Sequence, residues 1–300
     1  MASWNGQFLP RGQWLFVHDA ARCADGTPGG AVALARRAGA VGLLVKVLDG
    51  AAPYPGGGAS ALLAACQAAG MDCSGWGYTY PGDGPATAAL IQGWLSQSGD
   101  TAFLLDAEVE FEVAAGASDA GALLAAVRAV CARPWYTGLP WPDQQAAFPW
   151  ATFQAGCSAF APQVYFAGLA GTAGPQPDAW ADLCWNRAAV GPAAGGPAAT
   201  SGGPAGWQGL SPTLPVVPVF DLSNIQRAAY LAHNAGVPSV CWWLLDGLTE
   251  QQAAALAATP YAQSAPAPVV RPSVPDVAAA LAALAQAEAG VTAAKQALGG

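Results

Sequence analysis

Charge is scarce in this sequence: 300 residues carry 11 Lys and Arg against 19 Asp and Glu, a formal net charge of -8. The few cations form no stripe, which excludes a surface built to neutralise a phosphate backbone, so no nucleic-acid partner is expected. Histidine is scarcer still, at 2, and the 7 cysteines include no C-x-x-C pair. Spacing therefore offers no zinc site, and neither a metal nor an organic cofactor is expected. The cysteines read as small buried hydrophobes of a chain made in a reducing compartment. Apolar runs such as Ala31–Ala35 and Ala278–Ala285 stop well short of the roughly 20 residues of a membrane span, so no membrane association is expected. Met1–Pro10 lacks the apolar core of a secretory signal, and the expectation is synthesis in the cytoplasm, with virion association or release by lysis as the routes outward. Also missing are a G-x-G-x-x-G after the first strand, a P-loop, an H-E-x-x-H and a Ser-His-Asp order.

What the chain has in quantity is apolar residues, 53% of the whole, arranged as short β-rich runs alternating with Ala- and Leu-rich helical runs. That alternation is the mark of βα units and a parallel sheet. The expected strands are Trp14–Asp19, Gly42–Leu48, Asp72–Tyr78, Thr101–Glu110, Pro134–Thr137, Ala161–Phe166, Val216–Leu222 and Ser239–Leu245. Helices are expected at Gly29–Ala38, Ala59–Ala69, Pro85–Ser96, Ala120–Ala132, Asp143–Ala155, Pro177–Asn186, Asn224–Ala235 and Glu250–Ala258. Pro28 and Pro85 stand at helix entrances, Gly39, Gly70 and Gly236 at exits, and Thr249 precedes Gln252 at capping-box spacing. Eight units in a chain of this length predict an α/β fold, a (β/α)8 TIM barrel over residues 1–263, with an open parallel sheet as the alternative.

Two stretches break the rhythm. Gly168–Pro215, rich in Gly, Ala and Pro around Trp180, Trp185 and Trp207, is long for a connection without a function. Residues 264–275, SAPAPVVRPSVP, read as a Pro-rich linker. Beyond it, 276–300 form an Ala-rich helix in which Val277, Leu284, Val291 and Leu298 recur at heptad spacing. That seam requires a partner: the barrel itself, a second copy, or a larger assembly.

In such a barrel the strand C-termini form the active face, and here they are acidic: Asp19, Asp106, Asp221 and Asp246 end or follow strands. In FLLDAEVEFE the alternation places Asp106, Glu108 and Glu110 on one face, opposite the apolar set. Crowded carboxylates push one another toward the protonated form, the arrangement that acid/base cleavage of a glycosidic bond uses. The competing reading is solvated loop charges or helix caps. Aromatic rings fall at the same ends, with Tyr78, Trp135, Tyr136, Tyr165 and Trp242 as candidate sugar-binding residues. Trp242 and Trp243 point to opposite faces, so only one of them reaches the mouth. His18 and Asp19 likewise have opposite parity, and Asp19 is the expected mouth residue. Lys46 would bind a substrate group or pair with Asp19 or Asp106.

With Asp19 at the first strand end, Asp106-Ala107-Glu108 on the fourth, Trp135-Tyr136-Thr137 on the fifth and Trp242-Trp243 on the eighth, residues 10–260 resemble the glycoside hydrolase family 25 lysozymes and related barrels of bacteria and phage particles. Where that family has D-x-S this chain has Asp19-Ala20-Ala21, and where it has W-x-A-x-Y this chain has Gln163-Val164-Tyr165. The resemblance implies Glu108 as general acid, with Asp106 and Asp19 as its polarising partners, in cleavage of peptidoglycan. Glu110, Asp221 and Lys46 would line the glycan site with the aromatic residues. The alternative, from a different class, is a virion or assembly protein that keeps the barrel for binding and attaches through its C-terminal helix.

Overall fold

The computed structural model describes residues 12–56, 58–138, 145, 147–163, 216–218, 225–226, 228–229, 233 and 239–263. All belong to one unit of the chain, residues 1–267. The Pro-rich linker, the heptad helix with Val277, Leu284, Val291 and Leu298, and the whole segment 168–215, with the expected helix at 177–186, lie outside the described residues.

Eight parallel strands follow one another around a single sheet: β1 (Gly12–Val17), β2 (Gly42–Asp49), β4 (Asp72–Tyr78), β5 (Ala102–Asp106), β6 (Arg133–Gly138), β7 (Phe160–Pro162), β8 (Val216–Pro218) and β9 (Ser239–Trp243). Their order is β7-β6-β5-β4-β2-β1-β9-β8, with a two-residue antiparallel strand β3 (Ala52–Pro53) added beside β2. Helices α1 (Pro28–Arg37), α2 (Ala59–Ala69), α3 (Gly84–Ser98), α4 (Gly116–Arg128), α5 (Trp150–Gly156) and α6 (Glu250–Ala257) intervene, and a short α7 (Pro260–Gln263) follows. No helix among the described residues is long and apolar enough to cross a membrane.

The helix ends follow from their capping chemistry. Thr27 accepts a hydrogen bond from the Gly30 amide with Pro28 in the first turn, and Thr249 and Gln252 close a reciprocal capping box on α6. Gly70 leaves α2 in the left-handed conformation at φ 63°, where a side chain would be strained.

The strands are buried on both faces, as a parallel sheet with helices outside requires. Trp14, Phe16, Leu44, Trp76, Leu104, Trp135, Ala161 and Cys241 pack together on the inner face. Leu15, Val17, Leu43, Val45, Phe103, Leu105, Tyr136, Phe160 and Trp242 face the helices. The sheet curls strongly. Trp76 on β4 and Trp243 on β9 are separated by β2 and β1, about 14 Å apart in a flat sheet, yet their ring centroids lie 5.5 Å apart. Such curvature crowds the inner face and opens the outer one, so on β4 the inward positions are Ser74, Trp76 and Tyr78 and the outward ones include two glycines. A Cβ on Gly75 would stand 2.6 Å from both Phe103 and the indole of Trp94 on α3.

Two departures from the sequence reading bear on the mouth. The run expected to continue to Glu110 ends at Asp106, and residues Val109–Phe111 turn as a 3-10 helix. Phe111 is the cause, since it is fully buried against Phe148 and Phe153 in the outer core and pulls the chain off the sheet. A register shift between Lys46 and Leu48 in β2 lets Lys46 keep the inward parity of Leu44 while Leu48 packs outward. Cys23, Cys66, Cys131, Cys157 and Cys241 are buried free thiols, and Cys73 is buried with them.

Gly75→Ala should overpack the β4–α3 contact and lower stability by about 1–3 kcal/mol, read as a drop in the urea midpoint with an unchanged slope. An unaltered midpoint would mean that Trp94 moves aside at little cost.

Candidate active site

The C-terminal ends of β1, β2, β4, β5 and β7 bring the polar residues together. The last carbonyl of β5, on Asp106, accepts from both the amide and the hydroxyl of Thr79, at 2.8 and 3.0 Å, and the Ala107 amide donates to the Thr137 carbonyl at 3.0 Å. These bonds fix the strand end on either side, and the inward parity of Leu104 then sends the Asp106 side chain into the mouth. The chain next enters the 3-10 turn, so Glu108 and Glu110 reach the mouth from a turn and not by strand alternation.

One side chain joins the acids. Gln163, buried just past β7, donates its amide Nε2 to Asp106 Oδ1 at 2.9 Å and to Glu108 Oε1 at 2.8 Å. Asp106 is itself buried and Glu108 partly exposed. Burial above all, then the charge of Glu108 and a hydrogen bond with it, raises the Asp106 carboxyl well above the ordinary carboxylate range. Asp106 therefore keeps its proton to higher pH than an isolated carboxyl would and donates it to the more exposed Glu108. Glu110 accepts from the Tyr78 hydroxyl at 2.7 Å. Burial, reinforced by that bond, raises the phenol's pKa.

Across the mouth a second polar group forms around Lys46. Its ammonium lies 2.7 Å from Asp49 Oδ2 and over the rings of Tyr54 and Trp76, at 4.3 and 5.2 Å from their centroids. The ion pair expected with Asp19 or Asp106 is thus made with Asp49, which the bulged end of β2 places three residues on. Asp49 also accepts from Tyr80 at 3.1 Å.

At the end of β1 the expected choice is reversed. His18 continues the inward parity of Trp14 and Phe16 and meets Tyr54, whose hydroxyl lies 3.1 Å from Nδ1. Burial first, then Lys46, lowers the pKa of His18. Asp19 caps a short turn at Ala20–Arg22 by accepting from the Ala21 amide at 3.0 Å, and remains part-exposed at the rim. Asp246, just past β9, accepts from the backbone amides of His18 and Asp19 at 3.0 and 2.7 Å. It ties the ends of two strands together.

Among the aromatic candidates, Tyr78 stands half-buried at the mouth, whereas Trp135, Tyr136 and Trp242 are fully buried. Trp135 fills the barrel interior, Tyr136 stacks on Phe160 in the outer layer, and Trp242 donates to Gln13 Oε1 at 3.0 Å. None of these three can stack on a solute. Trp243, of opposite parity to Trp242, is the half-buried ring that meets Phe16 and Trp76. Tyr165 and Asp221 lie outside the described residues. Gln163, Trp243, His18 and Tyr54 are the additional mouth residues. For the first three the signal was strand parity, and for Tyr54 there was none, because it rides on the unforeseen β3 excursion. Among the described residues no group of three or more His, Cys, Asp or Glu converges as a metal site would require.

No protein-family model matches this chain, and no curated protein matches it. Solved structures do. The spore cortex-lytic enzyme SleL of Bacillus cereus superposes with a TM-score of 0.56 at 8% identity, over 84% of this chain and 75% of that one. The C-terminal domain of a protein described as a chitinase from Desulfitobacterium hafniense gives 0.55 at 9%, over 83% and 97%. SleL of Bacillus megaterium gives 0.52 at 7%, over 83% and 74%. The fold is a TIM-type α/β barrel. At such identities the likeness concerns the fold, and the site rests on its own geometry.

Because the Asp106 pKa is raised on folding, the unfolded chain ionises first as pH climbs past about 4, and stability is lost from there up to the native midpoint. Asp106→Asn, which keeps an acceptor for Gln163 and a donor for Glu108, should therefore raise the melting temperature at pH 7. The gain should shrink toward zero as pH falls through the unfolded value. Melting curves at a series of pH values check this, and a gain independent of pH would show that ionisation is not its source.

Proposed function

We propose that this chain is a glycoside hydrolase acting on a glycan, with peptidoglycan as the first substrate to test. The observation that carries this reading is the Asp106–Glu108 pair under a single Gln163 amide, one member buried and one open to the mouth. A proton held by such a pair persists to higher pH than one on an isolated carboxyl. Glu108, the accessible member, passes it to the departing glycosidic oxygen. Asp106 serves as its proton-sharing partner, and the water that attacks the anomeric carbon returns a proton to the pair. Gln163 supplies an N–H to each carboxylate while both are charged.

The pair acts from one side of the sugar. Its members are hydrogen-bonded to each other, closer than the roughly 5–9.5 Å that separates two carboxylates flanking a glycosidic bond. Contacts to the sugar fall to the half-buried rings of Tyr54, Tyr78, Tyr80 and Trp243, which offer apolar faces and, in the tyrosines, polar tips. Glu110 and the rim carboxylate Asp19 complete the polar lining. The assignment of Glu108 as acid agrees with the roles implied by the resemblance to family 25 lysozymes. The barrel likeness to spore cortex-lytic enzymes and a chitinase-described domain adds support of fold alone.

Release of reducing ends from purified peptidoglycan tests the proposal. The wild-type chain should produce them, and Glu108→Gln, which preserves the acceptor for Gln163, should lose about 10²–10⁴-fold in rate while keeping its melting temperature. A folded wild-type chain that releases none from peptidoglycan or from chitin would sink the hydrolase reading.

A further inference from the structure

Among the described residues, Lys46 and Asp106 are the charged residues buried at inward strand positions; the carboxylate of Asp246, also buried, is taken up past β9 by the backbone amides of His18 and Asp19. The first two occupy equivalent places. Lys46 continues the inward parity of Leu44 on β2, and Asp106 that of Leu104 on β5, both at the C-terminal end of the barrel. Only β4 stands between their strands, and its inward residue Trp76 lies beneath the ammonium. No direct ion pair joins the two: the amine takes Asp49, and the carboxyl takes Gln163.

We propose that Lys46 is a positioning residue of the acid site, a fixed buried cation that keeps the Asp106–Glu108 pair at one shared proton across the working pH range. The inference rests on the hydrolase reading for its purpose but not for its physics. Two carboxyls brought together out of water drift toward full protonation, because burial and mutual repulsion both disfavour charge. A doubly protonated pair lacks the carboxylate that orients the donor. A positive charge about two strand spacings away, on the order of 10 Å, moves such a pair down by about one pH unit at an effective dielectric near 20. Asp49 offsets this effect only in part. Its side chain is 38% exposed and screened by water, whereas that of Lys46 is 7% exposed and held between Tyr54 and Trp76.

Besides its partner Glu108, the groups facing Asp106 are Glu110 on the same turn, Tyr78 from β4, and the uncharged Thr137 and Gln163 from β6 and the end of β7. Of those whose charge acts on Asp106, Lys46 lowers its pKa and the two glutamates raise it. His18 faces Lys46 from β1 and remains predominantly neutral near pH 7.

The test follows the carboxyl-carbon shifts of Asp106 and Glu108 against pH by NMR in the full chain, alongside the pH profile of reducing-end release. Lys46→Met should raise the midpoints of the pair by about one pH unit and move both limbs of the rate profile upward. Lys46→Arg should restore them. Asp49→Asn, which unmasks the ammonium and leaves an acceptor for Tyr80, should lower the midpoints, and it tests the inference even if Lys46→Met does not fold. A merely structural Lys46 would lower the rate at every pH without moving the profile. Midpoints that stay in place in a folded Lys46→Met or Asp49→Asn chain overturn the inference. Midpoints that move in a chain releasing no reducing ends support it, and count against the hydrolase reading instead.

Discussion

A carboxyl group removed from water sets the terms for the mouth of this barrel. Asp106 sits at an inward position of a central strand, where an apolar residue would be more stable, and an unpaired charge there would cost several kcal/mol. The surroundings reduce that cost in two ways: the carboxyl shares its proton with Glu108, and Gln163 donates to both. A third device, Thr79 bonding twice to the backbone carbonyl of Asp106, holds the strand end that carries it. Each device constrains a different segment: Thr79 the end of β4, the proton the turn after β5, and Gln163 the end of β7. The acid therefore organises the strand ends as much as they position it. Its cost in stability is what the proposed role in acid chemistry would account for.

The barrel beneath supports this by filling its interior with rings. Trp14, Phe16, Trp76, Trp135 and Trp243 occupy space that smaller side chains would leave open. The edge contacts of Phe16, Trp76 and Trp243, at 5.3 to 5.5 Å between centroids, hold three strands that are not all neighbours. Crowding inside is matched by thinning outside, where Gly75 and Gly77 let Trp94 and Leu48 approach the sheet. The floor of the mouth is consequently rigid and apolar, and it isolates the acid pair from the opposite polar cluster except through the electric field.

Much of this was legible in the sequence, because period and parity are local properties. The βα alternation located every strand that the structure describes except β3, and the entrance signals at Pro28 and Thr249 placed helix starts correctly. Asp106 followed from parity alone. What failed was decided at a distance. Phe111 ends β5 because α5 and the chain before it supply Phe153 and Phe148 as partners, and no pattern within FLLDAEVEFE reports that. Lys46 chose Asp49 because a register shift lies between them. Parity showed that Trp242 and Trp243 diverge, but the direction of each depended on the pairing of β9 with β1, where Trp242 finds Gln13 on the outer side.

The arrangement also explains why the two polar clusters are kept apart. If Lys46 met Asp106 directly, the ion pair would hold the carboxyl ionised and take the shared proton from the pair. Placed one strand further away, and partly satisfied by Asp49, the ammonium biases the pair without discharging it. Trp76, buried on the strand between them, offers its face to the cation. Its indole N–H, bonded at 3.2 Å to the Val17 carbonyl, fixes the ring from the β1 side. A single aromatic residue on the strand between them thus sets the distance at which a buried cation and a buried acid can coexist, one tuning the other while neither neutralises it.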